Sequence, residues 1–312
     1  MTHKIRIFLL FIVILPVIYI SLNASPVPRE AKMPFRNSHF ITVDSAVIHY
    51  RLWITKVKPA KGKVIFIHGF AGSTFSFRKN YDSLLSAGYN ILALDMPAFG
   101  YSDRGTWINY SQSSRAIMIW KLLDFIDRGD TTAWNIIGHC MGGGTAEAVA
   151  IMKPQRTRSL TIIGALSTAL SLSYIKPVKK FYADYVNLNF LSFSNMQQLL
   201  LSGYKQQPDT NDITGYMMPL RLPGTIEAIV SLFSNCREVV PLNSNSLKQI
   251  PVLAVWGTKD SWTPPRYAKT IKTYVPQMEL HLIKGAGHMP METHPGEFNG
   301  ILVEFLNRVN GH

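Results

Sequence analysis

Cys140 is the residue whose surroundings point most directly to chemistry. It lies between an apolar, strand-like segment, residues 134–139, and a run of small residues, 142–152, that is typical of a helix. Gly138 and Gly142 stand two residues before and after it. A strand that turns into a helix so abruptly exposes its central side chain, and flanking glycines let the two backbones pass closely. A thiol held at a helix N-terminus, which favours the thiolate, is a candidate nucleophile.

An acid and a base that can activate this thiol come later in the chain. Asp260 comes just after the apolar run 251–257, and His288 follows the apolar run 279–283 and a glycine-rich turn. Short apolar runs of this kind predict buried strands. A histidine near a thiol serves as its general base, and a carboxylate that accepts the other ring N–H fixes the tautomer. Cys140, His288 and Asp260 are therefore candidates for nucleophile, general base and orienting acid.

Residues 138–142, Gly-His-Cys-Met-Gly, resemble the nucleophile elbow Gly-x-Ser-x-Gly of the α/β-hydrolase family, with cysteine where serine is usual. The chain order of nucleophile, acid and histidine also matches that family, which implies that Cys140, Asp260 and His288 form a catalytic triad. The resemblance covers roughly residues 39–310. It implies an α/β fold with a mostly parallel, eight-stranded sheet flanked by helices and a helical lid inserted after strand 6. Family members with a cysteine at the elbow include dienelactone hydrolases and polyhydroxyalkanoate synthases. The predicted lid looks more like that of lidded esterases and lipases.

The resemblance also implies an oxyanion hole. The apolar run 63–68 leads into His68-Gly69-Phe70, which resembles the His-Gly turn after the family's third strand. The backbone N–H groups of Phe70 and of Met141, next to the nucleophile, would point at the developing oxyanion. His68 is expected to brace this loop rather than to transfer protons.

Other titratable residues near the expected site have a structural interpretation. Asp95 and Asp103 belong to the loop Asp-x-Pro-Ala-x-Gly-x-Ser-Asp, which resembles a family loop that has glycine in place of Ala98. We interpret both carboxylates as loop-stabilising groups, because Asp260 fits the family's chain order. His139, inside the elbow, is expected to pack beside the nucleophile.

The order of segments divides the chain into an N-terminal segment, a core and an insertion. Residues 31–165 and 249–312 alternate between strand-like and helix-like patterns and form the predicted α/β core. Residues 166–248 are rich in aromatic side chains and methionine and are interrupted by prolines. That composition favours a helical lid over an apolar pocket. Residues 1–30 are not expected to belong to the fold.

The N-terminal segment has the pattern of an export or membrane-insertion signal. After Lys4 and Arg6, residues 7–22 are almost entirely apolar. A cut after Ala24 would put Leu22 where a small residue is preferred, so we expect an uncleaved membrane anchor, with secretion after cleavage as the alternative. Basic residues before the apolar run place the catalytic domain on the outer, non-cytoplasmic face.

The composition limits the classes of partner. The chain has 312 residues, 47% of them hydrophobic, and a formal net charge of +13. Such a charge attracts nucleic acid or anionic lipid. The basic residues are scattered, however, and no nucleic-acid-binding motif is present, so we expect no nucleic-acid partner. We also expect no metal and no cofactor, because zinc-ligand spacing, a P-loop and a dinucleotide fingerprint are all missing from the sequence.

The triad and the apolar lid predict an acyl hydrolase. Its substrate would be an ester, lactone or thioester of an apolar acid, lipid-like acids included, and the acyl group would pass through a thioester on Cys140. An acyltransferase or cyclase is the alternative, because the same intermediate can pass to an alcohol or amine where water is excluded. A catalytically silent binding protein would need neither the triad nor the oxyanion turn. The acyl chain and the acceptor do not follow from the fold.

Overall fold

The central sheet has eight strands in the part of the chain that the computed structural model describes, residues 33–165, 192–235 and 245–312. The strands are Ser38–Val43 (β1), Ala46–Trp53 (β2), Gly62–Ile67 (β3), Tyr89–Leu94 (β4), Trp134–His139 (β5), Thr157–Ile163 (β6), Val252–Gly257 (β7) and Glu279–Ile283 (β8). Their order is β1-β2-β4-β3-β5-β6-β7-β8. β2 pairs with β1 and β4 in the antiparallel sense, and the other pairs are parallel. The predicted mostly parallel α/β sheet is confirmed.

Helices flank this sheet and cover its apolar strands. β5 and β7 are buried along their whole length, as parallel strands are when helices pack on both faces. The helices are Tyr81–Ser86 (α1), Gln112–Asp127 (α2), Met141–Met152 (α3), Phe193–Tyr204 (α4), Thr210–Leu220 (α5), Thr225–Asn235 (α6), Asn245–Lys248 (α7), Arg266–Tyr274 (α8), Pro290–Thr293 (α9) and Pro295–Asn310 (α10). Short 3₁₀ helices cover Thr74–Phe77 and Pro154–Arg156.

One helix expected from the sequence is divided in the structure. Apolar spacing over residues 74–87 predicts a single helix, whereas the chain forms the 3₁₀ helix Thr74–Phe77 and then α1. The break falls at Asn80, whose buried side chain donates hydrogen bonds to Met291 O (3.0 Å) and Asn299 Oδ1 (2.9 Å). These long-range bonds fix the chain between the two helical turns.

The candidate site residues come after strands that end at the same edge of the sheet. Phe70 lies shortly after β3, Cys140 directly after β5, Asp260 shortly after β7 and His288 shortly after β8. Because the carboxyl ends of parallel strands lie side by side, residues far apart in the chain become neighbours there.

Two glycines allow α3 to lie against the sheet at backbone contact. A β-carbon added to Gly138 would lie 2.2 Å from Gly142 O, and one added to Gly142 would lie 2.3 Å from His68 O. Both distances are shorter than any packed carbon–oxygen contact, so only glycine fits. The direction in which the chain leaves β5 therefore depends on these residues.

Four described helices lie between β6 and β7 in the chain, and we call the first three, α4, α5 and α6, the insert. They are part of the segment predicted as a lid, residues 166–248, of which 166–191 and 236–244 lie outside the described residues. Buried Arg104 joins the insert to the core, because it donates to Pro219 O (2.9 Å) in α5 and to Thr225 Oγ1 (2.8 Å) in α6.

The predicted membrane-anchored localisation needs correction. No helix in residues 33–165, 192–235 or 245–312 is long and apolar enough to cross a bilayer. The longest described helices, α2 and α10, have 16 residues each, short of the about 20 apolar residues that a spanning helix needs. The segment predicted as the anchor, residues 1–30, lies outside the described residues.

Substitution at the elbow tests the packing of α3. We expect Gly142→Ala to lower the free energy of unfolding by about 1–3 kcal/mol, because the new methyl group meets backbone that cannot move aside. Gly300→Ala in α10 is the matched control, since its β-carbon would meet nothing within 4 Å, and it should be neutral or stabilising by about 0.5–1 kcal/mol. Urea unfolding measures both. Equal stability of the two variants would contradict the packing described.

Candidate active site

Cys140 occupies the turn between β5 and α3. Its backbone has φ 52° and ψ −119°, a strained conformation for a residue with a β-carbon. Two hydrogen bonds hold it: Cys140 N donates to Ile163 O (2.9 Å), and Gly143 N donates to Cys140 O (3.0 Å). The thiol is not in a disulfide, and the residue is only 8% exposed. The backbone that carries the thiol is therefore held in one conformation.

Asp260 and His288 form a hydrogen-bonded pair beside the elbow. His288 Nδ1 lies 2.9 Å from Asp260 Oδ2, and both side chains are buried. Asp260 Oδ1 accepts from the N–H groups of Trp262 and Thr263, each at 2.9 Å. Burial raises the pKa of Asp260, but the hydrogen bonds from His288 and Thr263 outweigh it and keep that pKa below its ordinary value. The carboxylate therefore stays ionised and orients the ring.

His288 Nε2 is the ring atom directed at the candidate nucleophile. It has no partner of ordinary hydrogen-bond geometry among the described residues. Burial lowers the pKa of His288, but the charge of Cys140 and the hydrogen bond to Asp260 outweigh burial and raise the pKa to about 9. A buried ring that can hold a proton at neutral pH is suited to exchange one with a neighbouring group.

Phe70 and Met141, the predicted oxyanion residues, both lie close to Cys140. Met141 is the first residue of α3, so its N–H has no acceptor within the helix. Phe70 belongs to the turn after β3, in which Gly72 N donates to Gly69 O (3.1 Å). That turn touches the elbow, because a β-carbon on Gly69 would lie 2.9 Å from Cys140 Cβ. Both predicted oxyanion residues are therefore next to the thiol.

Two other buried histidines support the site as neutral rings. His68 Nδ1 lies 2.7 Å from Gly69 O, and His68 Nε2 accepts from Met96 N (2.9 Å), which fixes one neutral tautomer. Burial lowers the pKa of His68. His139 Nε2 lies 3.0 Å from His288 O, and burial together with the charge of His288 lowers the pKa of His139 to about 3. These contacts agree with the packing and bracing roles expected from the sequence.

Asp95 and Asp103 belong to a different network. Asp95 lies 2.7 Å from His49 Nδ1 and accepts hydrogen bonds from two backbone N–H groups. Asp103 Oδ2 accepts from Val47 N (2.7 Å). These bonds hold the loop after β4 against β2, which is the loop-stabilising role expected from the sequence.

Several side chains and backbone groups that hold the candidate base were not predicted from the sequence. Thr263 Oγ1 lies 2.7 Å from Asp260 Oδ2, and the Trp262 ring lies 4.9 Å from the His288 ring. Gly203 O in α4 accepts from His288 N (2.7 Å). Thr263 and Trp262 come closely after Asp260, so their contact with the acid and base could have been predicted from their position in that turn. Gly203 is distant in the chain and had no signal of its own.

A pocket of about 390 Å³ opens beside these groups. Its described lining consists of Phe70, Ala71, Met196, Leu199, Leu200, Ser202, Tyr216, Trp262 and Met289. Phe70 connects it to the oxyanion turn, whereas Trp262 and Met289 connect it to His288. No lining residue in the described part of the chain carries a charge. A volume and lining of this kind suit a small molecule with an apolar group.

The charge of Cys140 can be tested through the titration of His288. We expect Cys140→Ala to lower the pKa of His288 from about 9, because the burial that depresses it remains while the sulfur charge is lost. NMR of ring-labelled histidine, with His288→Gln for assignment, measures the shift, and histidines outside the site serve as internal controls. An unchanged titration in Cys140→Ala would show that the thiol does not act on the ring.

Comparison with known proteins identifies the family. A sequence model of the α/β hydrolase fold matches residues 63–295. A 2-hydroxy-6-oxononadienedioate/2-hydroxy-6-oxononatrienedioate hydrolase of Klebsiella pneumoniae is 27% identical over 286 residues, which cover 87% of this chain and 96% of the relative. The uncharacterized hydrolase YugF of Bacillus subtilis is 27% identical over 284 residues, 89% of this chain and 99% of the relative. Neither relative is named as a membrane protein.

The solved structures agree in fold. A meta-cleavage product hydrolase from Pseudomonas fluorescens aligns with a TM-score of 0.69 and 23% identity over 86% of this chain and 97% of that one. The family match spans most of the chain and includes the elbow, the Asp260 turn and His288. The chain therefore belongs to the α/β hydrolase fold family and is an enzyme of the hydrolase type.

Proposed function

We propose that the protein hydrolyses an ester, lactone or thioester of an apolar acid by means of Cys140, His288 and Asp260. The observation that carries this proposal is a cysteine at the strained elbow, acting on a buried histidine whose other nitrogen is held by a carboxylate. Hydrolases of this family attack from the elbow position. A thiol is a competent nucleophile there, because it ionises more readily than a hydroxyl.

Acylation begins when His288 Nε2 receives the thiol proton and the Cys140 sulfur attacks the acyl carbonyl carbon. The carbonyl oxygen becomes an oxyanion, which the N–H groups of Phe70 and Met141 stabilise. As this intermediate collapses, the bond to the leaving alcohol or thiol breaks, and His288 gives its proton to the leaving group. The acyl group remains as a thioester on Cys140.

Water completes the cycle. His288 Nε2 removes a proton from a water molecule, whose oxygen attacks the thioester carbonyl. The carbon–sulfur bond then breaks, the acid leaves, and the sulfur is again the thiol or thiolate of the resting pair. Asp260 keeps its charge throughout and stabilises the imidazolium.

The pocket supports a small-molecule substrate with an apolar acyl group. The substrate in the name of the Klebsiella relative is a dioate, which has two carboxylates. The described pocket lining of this chain has no lysine or arginine, and an unpaired carboxylate is costly to bury. We therefore propose an acyl group without a second carboxylate. The insert supplies Met196, Leu199, Leu200 and Tyr216 to the pocket and would act as its lid.

Hydrolysis of p-nitrophenyl acetate, butyrate and octanoate tests the proposed residues. We expect His288→Ala to lower turnover by at least about 100-fold, because the general base is lost. Cys140→Ala should fall to the uncatalysed rate, and Cys140→Ser should keep a small activity, since a hydroxyl depends wholly on the base. His281→Ala, at an exposed position of β8, is the matched control and should keep wild-type turnover.

Each alternative gives a different result in the same assay. Unchanged turnover in Cys140→Ala would remove Cys140 from the mechanism, and full activity in Cys140→Ser would mean a site built for serine. An acyltransferase would release nitrophenol faster when an alcohol or amine acceptor is added, with the acyl group found on that acceptor.

A further inference from the structure

Glu292 joins the loop of the candidate base to the insert. It lies in α9, about one helical turn after His288, and its side chain is fully buried. Both carboxylate oxygens are used. Oε2 accepts from the Tyr204 hydroxyl (2.7 Å) and from Arg78 Nη1, and Oε1 accepts from the Tyr216 hydroxyl.

The partners of Glu292 come from separate elements. Arg78 comes directly after the 3₁₀ helix Thr74–Phe77, and its Nη2 donates to Asp212, which belongs to the capping box of α5. Tyr204 is the last residue of α4, and Tyr216 lies in α5. We call Glu292, Arg78, Asp212, Tyr204 and Tyr216 the Glu292 cluster. It ties α9 and the core to two insert helices at one buried point.

The charges of the cluster keep its protons in place at neutral pH. Burial alone would lower the pKa of Arg78, but Glu292 and the tyrosines raise it above its ordinary value. Burial and the charge of Glu292 raise the pKa of Tyr204 and Tyr216. The guanidinium therefore stays charged, and both hydroxyls remain hydrogen-bond donors. This pair is sensitive to removal of Arg78, because the fully buried carboxylate of Glu292 would lose its compensating charge.

A second contact fixes the same loop to α4 on the other side of His288. His288 N donates to Gly203 O (2.7 Å). Gly287 packs so closely there that an added β-carbon would lie 2.1 Å from Gly203 O. The insert therefore attaches to the loop of the base at two places. One is the backbone N–H of His288, and the other is the side chain of Glu292, one helical turn later. Lifting α4 from the core would break both attachments.

We propose that Glu292 is a positioning residue, which sets the place of His288 over Cys140 by binding two of the insert helices, α4 and α5. This inference rests on the proposed function, in which His288 is the base. The cluster also fixes the pocket wall, since Tyr216 and Met289 line it and the Tyr216 hydroxyl lies 4.0 Å from Met289 Sδ. As a result α4, α5 and the loop of the base move as one body, and substrate exchange does not involve lifting α4.

Removal of single hydroxyls tests the proposal without unfolding the core. We expect Tyr204→Phe to lower kcat for p-nitrophenyl butyrate about three- to tenfold with little change in KM, because a slightly displaced base affects the reaction more than binding. Glu292→Gln should lower kcat more, by at least about tenfold. Tyr89→Phe is the matched control. Tyr89 is a buried tyrosine at the start of β4, and the substitution removes its hydrogen bond to Asn307 Oδ1 (3.1 Å). This variant should keep wild-type kcat.

Hydrogen exchange gives a readout that needs no substrate. In Tyr204→Phe and Glu292→Gln, peptides that contain residues 285–293 and 196–205 should exchange at least about fivefold faster, as expected from loss of about 1 kcal/mol of local stability. The same peptides should be unchanged in Tyr89→Phe. Hydrogen exchange directly measures the coupling between the insert and the loop of His288. This measurement therefore tests the proposal even if the wild-type protein hydrolyses none of the esters.

The outcomes separate the coupling from the chemistry. Faster local exchange with no ester turnover in any form would support the coupling and contradict the proposed function. Wild-type kcat and unchanged exchange in Tyr204→Phe would overturn the role of the cluster while leaving the proposed function intact. Equal kcat losses in Tyr204→Phe and Tyr89→Phe would also overturn it, because the effect would then be one of general stability.

Discussion

The closeness of backbone to backbone at the elbow is the constraint on which the site depends. Gly138 and Gly142 leave no room for a β-carbon, so α3 begins in contact with the ends of β3 and β5. Cys140 accepts a positive φ as a result, and the hydrogen bond from its N–H to Ile163 O keeps it there. The strain is local, whereas the sheet and helices that maintain it extend through the whole core.

Two histidines in contact show how neighbours decide the chemistry of a buried ring. The rings of His139 and His288 lie 4.8 Å apart, and both are buried. Burial lowers the pKa of each, but His139 also faces the charge of His288 and falls to about 3, whereas Cys140 and Asp260 raise the pKa of His288 to about 9. One ring is therefore a neutral support, and the other is suited to hold and transfer a proton.

Features that depend on local pattern and chain order could be predicted from the sequence. The strands, the elbow glycines and the positions of Asp260 and His288 are of this kind, because each depends on a short run of residues. Hydrogen bonds between residues far apart in the chain could not be predicted from the sequence. The side chain of Asn80 divides an expected helix, and Tyr204 reaches Glu292 across 88 residues of chain. The expected membrane-anchored localisation was wrong, because an apolar run is compatible with several locations of the protein and its composition alone does not distinguish them.

The central claim is that Cys140 forms a covalent acyl-enzyme. The most direct measurement is intact-protein mass spectrometry after rapid quenching of the protein with p-nitrophenyl butyrate, followed by peptide mapping. We predict one butyryl group, located on the peptide with Cys140 and released by neutral hydroxylamine, as a thioester is. A butyryl group on another residue, or the same adduct in Cys140→Ala, would contradict the claim.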